Sequence, residues 1–277
     1  MISKAKKYEL YKPKKFLGQN FLVDENIAKK IVGSLDISDN DTVIEIGPGQ
    51  QALTKHLAGL SDNFYAVELD RSIYEKLKSE YDGRINLIHS DFLKTDLEKD
   101  FGSFTGSGKK LKIIGNIPYN ITTEILFKLF SHSGIIESAV LMMQREVAKR
   151  LVSKPDSKEY GILAVQTQFY TRSELLFHVP PTAFFPKPNV TSSVVKFHFY
   201  KDVSVLNDRV LFKEIVRESF GQRRKTMRNS LKKFMERHEI NENDITGFDF
   251  TRRPENLKPG EFVTLSNTIS GLLSKNK

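Results

Sequence analysis

Thr42-Val43-Ile44-Glu45-Ile46-Gly47-Pro48-Gly49-Gln50-Gln51-Ala52-Leu53-Thr54-Lys55-His56-Leu57 is the stretch that sets the fold class of this chain. Its first five residues predict a buried strand, its glycines a turn, and its last five a helix. A strand that feeds a helix through a glycine turn makes a cradle for a nucleotide. The glycines let the backbone approach a ligand, and the helix start presents free N–H groups. The next predicted strand, Phe64-Tyr65-Ala66-Val67, ends in Glu68, about 20 residues past the loop, where an acidic side chain accepts both ribose hydroxyls. The string also fits the loose pattern G-x-G-x-x-G/A. The loop alone therefore does not separate a nicotinamide dinucleotide from S-adenosylmethionine.

Working outward, the same alternation continues. Strands are predicted near Val43, Tyr65, Leu87, Ile113 and Val140, and helices near Leu57, Leu77, Leu126 and Val147. Asp24 is expected to cap a helix from Glu25 to Leu35. This order implies an α/β domain, a Rossmann-like parallel sheet with helices on both faces. Asp91 follows the strand Ile85-Asn86-Leu87-Ile88. Asn116-Ile117-Pro118-Tyr119 follows the strand Leu111-Lys112-Ile113-Ile114. Polar or flexible positions thus fall at successive strand ends, where open α/β sheets bind ligands.

The Asn116 tip suits attack by the exocyclic amine of a nucleobase, whose lone pair is delocalised into the ring. An amide oxygen and a backbone carbonyl, expected to be that of Pro118, accept its N–H groups and localise that lone pair. Pro118 stiffens the turn, and Tyr119 offers a face for stacking. The competing reading of N-x-P-Y is an ordinary turn after a strand.

Taken together, these stretches resemble the small-subunit ribosomal RNA adenine dimethyltransferases of the KsgA type. The resemblance runs from about Lys15 to about Ser270. It is carried by Phe16-Leu17-Gly18-Gln19-Asn20-Phe21-Leu22, Glu45-Ile46-Gly47-Pro48-Gly49, Val67-Glu68-Leu69-Asp70 and Gly115-Asn116-Ile117-Pro118-Tyr119-Asn120-Ile121. Met143 to Leu151, Val179 to Phe184, Phe220 to Thr226 and Arg252 to Glu255 add to it. The resemblance implies S-adenosylmethionine as methyl donor and two N6-dimethylated adjacent adenosines as product, in the 3′-terminal hairpin of 16S rRNA within the 30S subunit. It implies Asn20, Leu22, Gly47, Gly49, Glu68, Asp91 and Asn116 as cofactor contacts. Asn116, Pro118 and Tyr119 would serve the reaction. Phe184 would sandwich the base against Tyr119, its alternative being a core aromatic beside Phe185. For Glu45 and Asp70 the expectation is a cap or a structural hydrogen bond. Gln51 departs from the Gly or Ala common in the family, and its side chain is expected either to crowd the cofactor or to face solvent.

Composition bounds the rest. The chain has 277 residues, no Cys and six His without metal-ligand spacing, so a disulfide framework and a metal site are not expected. No stretch is apolar enough to span a bilayer, and the first residues lack a signal-peptide core; a cytoplasmic monomer is expected. The formal charge of +9 suits an acidic polymer. Lys4, Lys6, Lys7, Lys12, Lys14 and Lys15 form one cluster. Arg217, Arg223, Arg224, Lys225, Arg228, Lys232, Lys233 and Arg237 form a second, on a helix whose apolar stripe is Met227, Leu231 and Phe234. Arg223, Arg224, Lys225 and Arg228 are the expected RNA contacts, against the alternative of a solvated face.

Two domains are expected: residues 1–201, holding the cofactor site and a basic arm, and residues 202–277, a small helical RNA-binding domain. Ser193 to Phe199 is expected as an antiparallel edge strand. The rival functions are an erythromycin-resistance type methyltransferase acting on 23S rRNA, a DNA adenine methyltransferase, and a non-catalytic small-subunit assembly factor.

Overall fold

A computed structural model describes residues 14, 18–105, 110–200 and 203–275. The chain divides into two compact units. One holds the described residues up to Ala148 together with Glu174–Phe199; the other holds Lys149–Ser173 with the described residues from Tyr200 onward.

The first unit is the expected α/β layer. Strands β1 (Phe21–Leu22), β2 (Thr42–Ile46), β3 (Asn63–Glu68), β4 (Asn86–His89), β5 (Leu111–Asn116) and β6 (Ile136–Gln144) alternate with helices α1 (Glu25–Gly33), α2 (Thr54–Leu57), α3 (Arg71–Tyr81), α4 (Leu97–Thr105) and α5 (Thr122–Ser131). Helix α6 (Arg145–Leu151) follows β6. The seven-stranded sheet runs β4-β3-β2-β5-β6-β9-β7, with β7 at Thr171–Val179 and β9 at Ser192–Phe199. β2 to β6 are parallel, and β9 is antiparallel to β6. Every residue of β2 is buried, as a strand covered on both faces requires. Asp24 caps α1 as expected: its Oδ1 accepts from the Asn26 and Ile27 amides at 3.0 Å each, a cap worth about 1 kcal/mol. The helix buries Ala28, Ile31 and Val32 at helical spacing.

The topology places the site. β2 is central, and its parallel neighbours β3 and β5 bring their carboxyl ends to the same edge. In register, Ile46 lies opposite Val67 on one side and Gly115 on the other. The glycine loop, Glu68 and Asn116 therefore issue side by side.

The structure departs from the expectations in two regions. β9 is not an edge strand, because β7 lies outside it. Arg172, Glu174 and His178 interrupt the apolar pattern of β7 in the sequence; such charges suit a sheet edge, where they discourage pairing with other chains. The observed division falls after Phe199, ahead of the expected boundary at residue 202, and Lys149–Ser173 also belongs to the second unit. That excursion carries α7 (Ile162–Tyr170), which buries Ala164, Val165, Phe169 and Tyr170 and so lacks the polar face that would have marked it as a helix.

The second unit is otherwise helical: α8 (Arg209–Gly221), α9 (Met227–Arg237) and α10 (Pro259–Lys275). Asp208 caps α8 through the Val210 and Leu211 amides at 2.8 and 2.9 Å. Phe169 meets Phe212 at 4.8 Å between ring centres, and Phe220 stacks on Phe262 at 5.9 Å. Met227, Leu231 and Phe234 are fully buried, as their spacing predicts.

Candidate active site

The carboxyl edge of the sheet opens into a cavity of about 210 Å³. It is lined by the arm (Gly18 to Leu22), the glycine loop, Glu68, Asp91 and the Asn116 tip. Every expected cofactor contact (Asn20, Leu22, Gly47, Gly49, Glu68, Asp91 and Asn116) lines it, as do Pro118 and Tyr119.

Gly47 and Gly49 have φ of +64° and +53°, a region that side-chain-bearing residues avoid. A Cβ on Gly49 would also stand 3.1 Å from the Phe21 ring, so the ring would have to yield by a few tenths of an ångström on top of the conformational demand. The Gly49 amide donates to Glu68 Oε2 at 3.1 Å, and the Asp70 amide to Oε1 at 2.8 Å. The Glu68 carboxyl is thus fixed by the loop itself. Burial raises the Glu68 carboxyl, and those backbone donors oppose the rise. Asp91 Oδ1 accepts from the Leu93 amide at 2.9 Å, which holds the carboxylate in a turn at the cavity wall.

The Asn116 amide is oriented. Its Nδ2 donates to the backbone carbonyl of Asn20 at 2.9 Å. A carbonyl accepts only from the NH₂ end, so this bond leaves Oδ1 as the end available to a substrate amine. The arm therefore sets the polarity of the tip. Gly18 has φ +63°, which favours glycine, and a Cβ there would come within 2.7 Å of Asn120 Oδ1, so that side chain would have to shift.

Tyr119 lies on the turn that follows and is half-buried, with its Oη 2.7 Å from Ser192 Oγ. Burial raises the phenol and Ser192 opposes it, so the ring stays neutral and fixed. The Pro118 carbonyl accepts from Thr122 Oγ1 at 3.0 Å and the Ile121 amide at 3.3 Å. Those bonds occupy both of its lone pairs. The Ile117 carbonyl accepts no hydrogen bond among the described residues.

Two expectations about side chains are corrected here. Phe184 does not line the cavity. It is 4% exposed, stands in β8 (Phe184–Phe185) opposite Leu22, and packs in the core with Val179, Ala183 and Val194. Its neighbour Phe185 is the exposed one. Gln51 neither crowds the cavity nor faces solvent. At φ +68° its side chain turns to the last turn of α3, where Nε2 donates to Glu80 and Oε1 accepts from Tyr81 Oη at 3.1 Å. Those bonds offset the backbone strain of a non-glycine residue in that region. Asp70 is the expected cap: it accepts from the Ser72 amide at 3.0 Å and pairs with Lys14 at 2.7 Å.

The basic cluster divides. Arg223 donates to Glu255 Oε2 at 2.6 Å, to the Ser157 carbonyl at 2.9 Å and to the Lys158 carbonyl, tying segments of the second unit together. Arg228 grips Glu242 in a fork at 2.7 and 2.9 Å. Arg237 faces Glu214 and Glu218 at 3.3 and 3.7 Å. Arg224 and Lys225 are exposed and have no side-chain partner among the described residues. Of the N-terminal lysine cluster, only Lys14 lies within the described residues; Lys4, Lys6, Lys7, Lys12 and Lys15 lie outside them.

Sequence reasoning gave no role to Gly18, Ser192 or the Ile117 carbonyl. Gly18 stood within a quoted motif, but nothing local marks its closeness to Asn120. Ser192 is far from Tyr119 in sequence and carried no signal. No group of His, Asp or Glu among the described residues could hold a metal, and no described helix is long and apolar enough to cross a membrane.

Comparison with known proteins agrees with this geometry. Residues 11–270 match the ribosomal RNA adenine dimethylase family. Ribosomal RNA small subunit methyltransferase A of Chlorobium phaeobacteroides is 47% identical, covering 94% of each chain. The protein of that name from Francisella tularensis subsp. novicida is 42% identical, covering 94% of this chain and 98% of its own. Among solved structures, a dimethyladenosine transferase from Plasmodium falciparum superposes with a TM-score of 0.72 at 24% identity, covering 88% of this chain and 95% of that one. The 23S rRNA methyltransferase ErmE superposes at 0.63 with 20% identity, covering 91% and 100%. These two likenesses bear on the fold.

Proposed function

The chain belongs to the ribosomal RNA adenine dimethylase family, and from that premise we propose that it dimethylates N6 of two adjacent adenosines in the 3′-terminal hairpin of 16S rRNA within the small ribosomal subunit. The cofactor is S-adenosylmethionine, which supplies a methyl group already activated by a positively charged sulfur. The cavity suits it: the Gly49 backbone gives close approach, and the Glu68 and Asp91 carboxylates are acceptors for ribose and adenine.

The observation that carries this reading is the polarity of Asn116. Its NH₂ end is spent on the Asn20 carbonyl, so its oxygen is the acceptor. A target amine that donates to this oxygen gains lone-pair density on N6, the interaction that strengthens toward the transition state. The second N–H needs a second acceptor. Because the Pro118 carbonyl carries two bonds of its own, the Ile117 carbonyl takes that role. Tyr119, held by Ser192, provides the stacking face. Phe184 supports the site from below, through β8 and its pairing with the arm. The remaining work is alignment of N6 with the methyl carbon, a positioning problem.

RNA contact falls to Arg224 and Lys225, whose charges are uncommitted. The protein acts as a cytoplasmic monomer. An oriented acceptor at the tip argues against a purely non-catalytic assembly factor. The direct test is incubation with unmethylated small subunits and labelled cofactor. The expected result is label in N6,N6-dimethyladenosine of 16S rRNA; label confined to 23S rRNA or DNA overturns the assignment.

A further inference from the structure

Strand β2 carries an ionisable group that the chemistry above does not use. Glu45 is 1% exposed, lines the cofactor cavity, and has a carboxyl oxygen, Oε2, with no hydrogen-bond partner. Among the described residues its surroundings supply no cation. Glu68 faces it from β3, and Tyr81 stands toward it from α3. Thr54, at the start of α2, faces it with its hydroxyl and its backbone N–H, and the Thr54 Oγ1 likewise has no hydrogen-bond partner among the described residues. Its register neighbours, Ala66 on β3 and Ile114 on β5, are apolar. On the arm, Lys14 is paired with Asp70.

Two buried carboxyls beside one cavity, without a counter-ion, cannot both ionise cheaply, because burial penalises each charge and like charges repel. Burial pushes Glu45 up to about 8; Thr54 opposes the rise and Glu68 adds to it. Without ligand at neutral pH, Glu45 therefore holds a proton. S-adenosylmethionine is a cation overall near neutral pH, since its sulfonium and ammonium outnumber its carboxylate.

We propose that Glu45 is a proton-coupled binding residue: seating the cationic cofactor in this cavity drives the Glu45 carboxyl to release its proton to bulk buffer, and the carboxylate left behind joins Glu68 as the counter-charge. No bond to the cofactor forms or breaks. The proposal rests on the cofactor reading given above. It makes cofactor capture pH-dependent, with affinity rising as pH rises toward 8 by up to about tenfold per unit for one linked proton.

The test is titration calorimetry with S-adenosylmethionine at pH 7, in buffers of different ionisation enthalpy, on the full chain and on Glu45→Gln. Glutamine copies the shape of the protonated acid, and comparing the two proteins cancels protons lost by the ligand's own amine. Wild type is expected to release close to one proton more than Glu45→Gln, and its affinity should climb more steeply between pH 6 and 8. Equal proton counts in the two proteins overturn the proposal. So does a wild type that binds with no proton exchange, a result that stands even if Glu45→Gln fails to fold. Absence of cofactor binding to wild type would instead overturn the cofactor reading, and this proposal with it.

Discussion

The Asn116–Tyr119 tip and the Arg223–Arg237 cluster look equally telling in the sequence, yet the structure treats them differently. At the tip every polar group has a direction. Asn116 is turned by the Asn20 carbonyl, Pro118 is closed by Thr122, and Tyr119 is pinned by Ser192. In the cluster, much of the charge is spent inside the protein: Arg223 on Glu255, Arg228 on Glu242, Arg237 on Glu214 and Glu218. A motif whose chemistry depends on backbone geometry keeps its meaning once folded. A run of like charges does not, because its partners lie elsewhere in the chain and decide whether the charge is available.

The comparison breaks if the tip proves dispensable, so the largest expected effect is there. Asn116→Ala should slow single-turnover methylation of small subunits by roughly 10²-fold or more, the scale for removing one oriented hydrogen-bonding group. Equilibrium titration should show cofactor affinity changing far less. Wild-type turnover in that variant would reduce the tip to an ordinary turn.

Tyr119 comes next. After one transfer a single N–H remains on N6, so stacking carries more of the positioning for the second. Stacking is worth about 1–3 kcal/mol per base. Tyr119→Ala should slow both steps and the second more, seen as a raised ratio of mono- to dimethyladenosine over a time course of digested RNA. Tyr119→Phe keeps the ring, loses the bond to Ser192, and should be mild.

The cluster is sharpened by separating its members. Replacing Arg224 and Lys225 with Ala should flatten the salt dependence of small-subunit binding by about one unit of slope per lost phosphate contact. Arg223→Ala should leave that slope nearly unchanged and instead lower the melting temperature, by about 2–4 °C per kcal/mol lost in a chain of this size. The reverse pattern would restore the cluster as one RNA-binding face.

The smallest effect concerns stability against pH without cofactor. Glu45 is raised from an ordinary carboxyl value to about 8. Between those values the unfolded chain has lost the proton that the folded chain keeps, so folding loses stability as pH rises through that window. Relative to Glu45→Gln, wild type should therefore melt progressively lower from pH 5 to pH 8, with the gap constant above. A gap that does not change with pH would mean Glu45 is ionised in the fold.

The sheet was legible because β2 to β6 are short apolar runs separated by turn residues, and each delivers a polar group at its carboxyl end. Helix α1 was legible from Asp24. β7 was hidden by its edge charges and α7 by its burial on nearly every side. In the site, Gly49, Glu68 and Asn116 were readable because each is demanded by position in a strand–turn unit. The Gln51 clamp to Glu80 and Tyr81, the burial of Phe184 and the pairing of Arg228 with Glu242 depend on residues 14 to 162 positions away or on which side of a strand faces the core. No local pattern reports those.

The proposed function is tested most directly by mass spectrometry of ribosomal RNA from cells that lack this protein and from the same cells given back wild type or Asn116→Ala. Two adjacent N6,N6-dimethyladenosines in the 3′-terminal hairpin of 16S rRNA should vanish without the protein, return with wild type, and stay absent or scarce with Asn116→Ala. Full dimethylation in cells lacking the protein, or a loss confined to 23S rRNA, would contradict the account.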